Sequence, residues 1–147
     1  MNSLIIVFAL VMLAASVSAF RSISKRPSFM ARNMITITDG VEFDTIAREW
    51  RLKWSGDDDK KSLASVQQTL NLFTGALKGV DGVKSVQRVV CGGCLDYKVV
   101  VALPADKFGD WEAKEFAPEA EFLAAVKAIN GVSQVETQTY TLMPVDL

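Results

Sequence analysis

Apolar and charged residues alternate through Ile46-Ala47-Arg48-Glu49-Trp50-Arg51-Leu52-Lys53-Trp54, broken only at Arg48. A period of two sends one set to each face, so the segment is predicted to be a strand with one wet face. Ser55-Gly56-Asp57-Asp58-Asp59 is a polar break, and its three acids are expected at a helix N-terminus, where they complement the dipole. Leu63, Val66, Leu70, Phe73 and Leu77 then recur at spacings of three and four, giving one apolar stripe along a helix that stops at Gly79. A short extended lead, Ile35 to Gly40, precedes all of this.

Two β-branched runs follow, Val83 to Cys91 and Cys94 to Leu103, joined at Gly92-Gly93. Glycine supplies the positive φ of a two-residue primed turn, so the pair reads as a hairpin in which Cys91 faces Cys94. That register puts Val86, Val90, Leu95, Tyr97, Val99 and Val101 on one face and Gln87, Val89, Cys91, Cys94, Asp96 and Lys98 on the other. Pro104 ends the second run. Lys107 to Phe116 is an amphipathic connection carrying Phe108, Trp111 and Phe116. Pro118 opens a second helix with an apolar side of Phe122, Leu123, Val126 and Ile129, and Gly131 stops it. A last strand, Val132 to Met143, alternates Thr137, Thr139 and Thr141 with Glu136, Gln138 and Tyr140.

The chain repeats itself. Ala76-Leu77-Lys78-Gly79-Val80-Asp81-Gly82-Val83 matches Ala125-Val126-Lys127-Ala128-Ile129-Asn130-Gly131-Val132. Two copies of helix, Gly-Val turn and strand imply a duplicated unit, and the order βαββαβ implies an α+β, ferredoxin-like antiparallel sheet with its helices on one face. The other face needs cover. Trp50, Trp54, Val89 and Val100 are candidates for it, with Trp111 as a further interface candidate, which points to a homodimer packed sheet against sheet or to docking on a larger complex.

Composition adds an address. Leu4 to Ala15 is apolar and uncharged and runs into Ser16-Val17-Ser18-Ala19, as in a signal peptide spanning 1–19. It is shorter than a membrane span, and no transmembrane segment is expected in the remainder. Residues 20–33 are basic, Ser-rich and acid-free, the composition of a transit peptide. Together these stretches resemble the bipartite plastid leaders of algae with secondary red plastids, which implies a plastid protein, in the stroma rather than the lumen, with a single domain at 34–147. That domain holds all 17 acids and all but four of the 16 bases, so nucleic acid is not an expected partner. The chain has no histidine, which removes the commonest general base, haem ligand and metal ligand.

From Val66 to Val145, the series helix, Gly82-Val83, strand, Gly92 or Gly93, Asp96-Tyr97, second helix, Gly131-Val132 and Thr-rich strand resembles the ligand-binding domain of Lrp/AsnC-type regulators. That domain belongs to the dimeric α/β-barrel group, which also holds monooxygenases; Trp111-Glu112 and Pro118 to Leu123 are similar to their helical segment. The resemblance implies a small effector bound beside the hairpin, near Gly92, Gly93, Asp96 and Tyr97.

The candidate chemistry centres on Cys91 and Cys94. They read as thiols or a local staple, as a regulatory dithiol, or as half of a metal or cluster site shared across a dimer, since one chain lacks four zinc ligands. Asp96 is either an acid poised for proton transfer or a polar group satisfied near the turn. No cofactor and no catalytic residue is expected. The sequence favours a non-enzymatic plastid domain that binds a small molecule or protein, redox-sensitive through Cys91 and Cys94. The alternative is an accessory subunit of a photosynthetic membrane complex, a photosystem or antenna assembly. An α/β-barrel monooxygenase-like enzyme ranks third, weakened by the missing histidine.

Overall fold

A computed structural model of the chain describes residues 33–145; the signal peptide expected at 1–19 and nearly all of the transit-like stretch at 20–33 lie outside the described residues. The described chain runs β1 (Ile35–Thr38), β2 (Val41–Phe43), β3 (Thr45–Lys53), α1 (Asp57–Lys78), β4 (Ser85–Cys91), β5 (Asp96–Pro104), α2 (Ala105–Glu112), α3 (Glu119–Lys127) and β6 (Ser133–Leu142). Strands β3 to β6 form one antiparallel sheet in the order β4-β5-β3-β6. This is the expected α+β, ferredoxin-like arrangement. The short lead is a separate hairpin, β1 with β2, turned at Asp39-Gly40 where Gly40 takes φ +73°. An Asp-Gly pair between β-branched residues signals such a turn.

Strand pairing decides which side chains meet the helices. Trp50 lies opposite Val99, Leu52 opposite Tyr97 and Ile46 opposite Leu103, so even positions of β3 and odd positions of β5 share a face. With Val66, Leu70 and Leu77 of α1, Phe108 and Trp111 of α2, and Phe122 and Val126 of α3, they make the main core. Trp50 stacks on Phe122 at 4.9 Å, and Phe73 meets Phe122 edge-on at 5.6 Å. Fully burying aromatics of this size stabilises by about 2–3 kcal/mol each.

Trp50, Trp54 and Trp111 are therefore core residues, 1%, 4% and 3% exposed, and not cover for the open face as the sequence suggested. Of the four candidates for that cover, Val89 and Val100 do lie there. Val100 joins Ala47, Ala102 and Tyr140 in a second, smaller cluster built from strands alone. The face of β3 expected to be wet is not wet at its centre, because Glu49 is buried at 4% exposure.

The hairpin differs from expectation in register. Cys91 pairs with Asp96 and Val90 with Tyr97, so the turn is four residues long, Gly92 to Leu95. Neither turn glycine has a positive φ; Leu95 takes it instead, at +56°. Cys94 and Leu95 sit in the turn. The remaining residues keep their expected faces, because each partner moved by two positions and an even shift preserves the pleat. At the start of α1, Asp58, Asp59 and Lys60 adopt left-handed φ of 49–62°, so the acidic run is a left-handed turn ahead of the right-handed helix and not an ordinary first turn.

The repeat is physical. Val80 N donates to Leu77 O and Val83 N to Val80 O; in the second copy Ile129 N donates to Val126 O and Val132 N to Ile129 O. Gly82 and Gly131 both occupy the left-handed region, at φ +78° and +86°. Leu77 and Val126 fill the core at equivalent positions.

Candidate functional site

Helix α1 does not reach across edge strand β4, so the inward-facing Arg88 and Val90 remain exposed. The gap is a cleft of about 420 Å³ whose apolar wall is Leu63, Ala64 and Val90 and whose polar groups are Gln67, Arg88, Tyr97, Asp59 and Lys60. Three elements converge there on one atom. Tyr97 Oη of β5 donates to Gln67 Oε1 of α1 at 3.0 Å, and Arg88 Nη1 of β4 donates to the same oxygen at 2.7 Å. Gln67 Nε2 is oriented by Asn71 Oδ1 at 2.8 Å, which fixes the amide so that its oxygen faces the two donors. Burial pushes the Tyr97 phenol up to about 12, with Arg88 opposing the shift, so this phenol is a donor and not a base at neutral pH. Two donors aimed at one point in an apolar cleft suit a carbonyl or oxyanion, and here the carbonyl they hold is that of the Gln67 amide.

Two other clefts show no such convergence of donors. Between the end of α1 and α2, about 330 Å³ is lined by Trp111, whose indole N–H is already given to Ala117 O at 2.8 Å. At the opposite sheet end, in a space of about 460 Å³, Lys84 Nζ is given to Thr45 Oγ1 at 2.6 Å beside Asp44 at 3.6 Å.

Of the ligand-binding, redox and interface candidates read from the sequence, Tyr97 alone lies in the convergent cleft. Cys91 and Cys94 form a disulfide, with Cα atoms 5.5 Å apart, at the hairpin end. Both a local staple and the oxidised state of a regulatory dithiol take this form. Gly92 and Gly93 face open space in the turn. Asp96 is not a poised acid. Its carboxylate takes Arg51 Nε at 3.2 Å, Arg51 Nη2 at 2.9 Å and Lys53 Nζ at 2.9 Å. Arg51 first, then Lys53, holds it at about 2, an ionised anchor satisfied by two cations and not by backbone amides. Among the described residues, no group of three or more His, Cys, Asp or Glu side chains is placed to hold a metal, and no helix is long and apolar enough to cross a membrane.

Gln67 and Arg88 were not legible in the sequence, being polar residues 21 positions apart on a helix and an edge strand. Arg48 was visible only as the break in an alternation. It faces the helices, gives Nε and Nη2 to Glu119 of α3 at 2.7 and 2.8 Å and Nη2 to Thr137 at 2.8 Å, and lies 4.3 Å over the Phe116 ring. The Glu119 hydrogen bond leads the causes that raise its already high pKa. This is a strut between α3 and the sheet.

No protein-family model matches the chain, and no curated protein matches it. Solved structures do. A protein from Deinococcus radiodurans named for antibiotic biosynthesis monooxygenases matches with TM-score 0.52 at 15% identity, over 69% of this chain and 96% of its own. A Caulobacter crescentus protein of the same name matches with TM-score 0.51 at 12% identity, over 69% and 92%. A Streptomyces coelicolor monooxygenase in complex with nanaomycin D matches with TM-score 0.51 at 14% identity, over 71% and 92%. These likenesses establish the ferredoxin-like fold. They also overturn the expectation of a non-enzymatic binding domain, since the chains that share the fold are named as enzymes, and they lend nothing to an accessory subunit of a photosynthetic complex.

Proposed function

We propose that the chain is a monooxygenase-type enzyme that takes a flat, largely apolar substrate with a carbonyl or phenolic oxygen into the cleft between α1 and the β4–β5 edge. The observation that carries this reading is the meeting of Tyr97 Oη and Arg88 Nη1 on one oxygen, that of Gln67. A substrate oxygen that displaces the Gln67 amide from that position receives a neutral and a charged donor together. Both favour its enolate or phenolate form, the electron-rich form that reacts with dioxygen. Leu63, Ala64 and Val90 supply the apolar wall. The shared fold of the monooxygenases supports the reaction class. The likeness to an Lrp/AsnC-type domain contributes the placement of a small molecule near the hairpin.

Two further features belong to the proposal. The leader composition of residues 1–33 supports a plastid address, tested by imaging a fluorescent fusion with and without those residues. The strand-only cluster of Ala47, Val100, Ala102 and Tyr140 supports sheet-to-sheet pairing of two copies, tested by native mass.

The test of the enzyme is dioxygen uptake with phenols, hydroquinones and 1,3-dicarbonyls, with labelled dioxygen traced into product. The expected result is label in one product class, with kcat/KM lowered about 10- to 100-fold in Arg88→Ala and about tenfold in Tyr97→Phe, the value of one charged and one neutral hydrogen bond. Equal turnover by both variants would overturn the site. Absence of uptake with all three classes would overturn the reaction.

A further inference from the structure

We propose that Cys91 and Cys94 form a thiol–disulfide exchange site that governs the mouth of the cleft. The exchange chemistry stands by itself; its consequence for catalysis rests on the cleft being the substrate site.

The two sulfurs have different surroundings. Cys94 is exposed and Cys91 half-buried. The Cys94 backbone N–H donates to Cys91 Sγ at 3.0 Å, and that hydrogen bond strengthens when Cys91 carries a thiolate. Cys94 Sγ lies 3.6 Å from Asp96 Oδ2. A disulfide sulfur has no proton to give that carboxylate, whereas a Cys94 thiol does, so the reduced form gains a hydrogen bond that the oxidised form lacks. Asp96 is fixed for this role by Arg51 and Lys53, and Lys53 Nζ also holds Cys94 O at 2.7 Å.

These surroundings order the steps. A thiolate of a protein dithiol attacks the exposed Cys94 Sγ, forming a mixed disulfide and breaking the Cys91–Cys94 bond, whose electron pair passes to Cys91 Sγ beside the Cys94 N–H. The reductant's second thiolate then attacks its own sulfur in the mixed disulfide and releases Cys94. The reductant leaves as its disulfide, and its two protons are balanced by those taken up at Cys91 and Cys94.

The coupling follows from register. Cys91 and Asp96 form the last pair of the β4–β5 ladder, and the next pair inward is Val90 with Tyr97, both on the cleft. The bridge closes this hairpin end, and β4 is an edge strand with no neighbour on its far side within the sheet. Opening the bridge returns freedom to the wall that carries Arg88 and Val90.

The experiment equilibrates the full chain in buffers of reduced and oxidised glutathione, counts alkylated thiols by mass, and follows amide hydrogen exchange. The expected result is a reversible gain of two thiols, at least fivefold faster exchange of the 89–97 amides in the reduced form, and unchanged exchange in α3. A bridge that survives fully reduced glutathione, or a reduced form with unaltered exchange at 89–97, would overturn the proposal. A Cys91→Ser/Cys94→Ser variant should copy the reduced form in both exchange and turnover, with kcat/KM lowered on the order of five- to tenfold, within the usual range for coupled sites. If exchange at 89–97 responds to glutathione while the chain turns over no substrate, the exchange site is upheld and the enzyme reading fails.

Discussion

The indole N–H of Trp50 donates to Glu119 Oε2 at 2.7 Å, tying a core strand to the first turn of α3. The same carboxylate receives the Arg48 guanidinium through two oxygens, so one acidic side chain accepts from the indole and supplies the counter-charge of a guanidinium whose other acceptors are the Thr137 and Thr139 hydroxyls.

Removing Glu119 should therefore cost more than a surface ion pair. Both partners of the Arg48 pair are mostly buried, at 16% and 13% side-chain exposure. Glu119→Ala is expected to destabilise by about 2–4 kcal/mol, because it takes the counter-charge from a mostly buried cation and the acceptor from an indole N–H. Glu119→Gln keeps an acceptor for Trp50 and should cost about half as much. Urea unfolding followed by tryptophan fluorescence checks this; equal losses in the two variants would show that the charge pair contributes nothing.

The two tyrosines of the chain, Tyr97 and Tyr140, should titrate together and late. Burial raises each from 10.0 to about 12, and for Tyr140 the Glu49 carboxylate, which accepts its hydroxyl at 2.9 Å, adds to the shift. A raised folded value means stability that is complete below pH 10 and lost as pH rises from about 10 to 12. Phenolate absorbance is expected to stay flat in the native protein through pH 10 and to rise near 10 after unfolding. A native transition at pH 10 would contradict both environments.

Asp96 acts at the other end of the scale. Its folded value of about 2 lies below the ordinary 3.8, so its contribution is present above pH 4 and is lost as pH falls from about 4 to about 2. Asp96→Asn is expected to lower stability at neutral pH and to flatten that part of the acid limb, measured as unfolding free energy against pH. An acid limb of unchanged steepness would remove Asp96 from its causes.

The equivalent glycines of the repeat should not tolerate side chains, and those of the hairpin should. A Cβ on Gly131 meets Ser55 and Ser62 Cβ at 3.2 and 3.3 Å, and one on Gly82 meets Lys107 Cγ at 2.9 Å, each on a left-handed backbone. Alanine at either is expected to cost about 1–2 kcal/mol. Alanine at Gly92 or Gly93 meets nothing within 4 Å and should change stability by less than about 0.5 kcal/mol. Thermal unfolding of the four variants separates the two classes.

What the sequence disclosed was local. The α1 stripe of Leu63, Val66, Leu70, Phe73 and Leu77, the prolines at 104 and 118, and the Gly-Val turns all act over a few residues and were placed near where they stand. Register was not local: Gly92-Gly93 suggested a tight turn, yet pairing along the whole β4–β5 ladder placed the turn residue with positive φ at Leu95. The cleft was hidden for a related reason. Tyr97 stands in the Asp96-Tyr97 pair, but Gln67 and Arg88 carry no motif, and only the packing of α1 short of β4 brings the three together. The absent histidine removed one set of catalytic groups without bearing on these three.

The strand order β4-β5-β3-β6 has a last consequence. The strands of the first copy, β3 and β4, are separated by β5, and those of the second, β5 and β6, are separated by β3. Each half therefore lacks every sheet partner its own strands require. With the Cys91–Cys94 bridge reduced, cleaving the chain in the Gly92 to Leu95 turn would leave two fragments that fold only on each other.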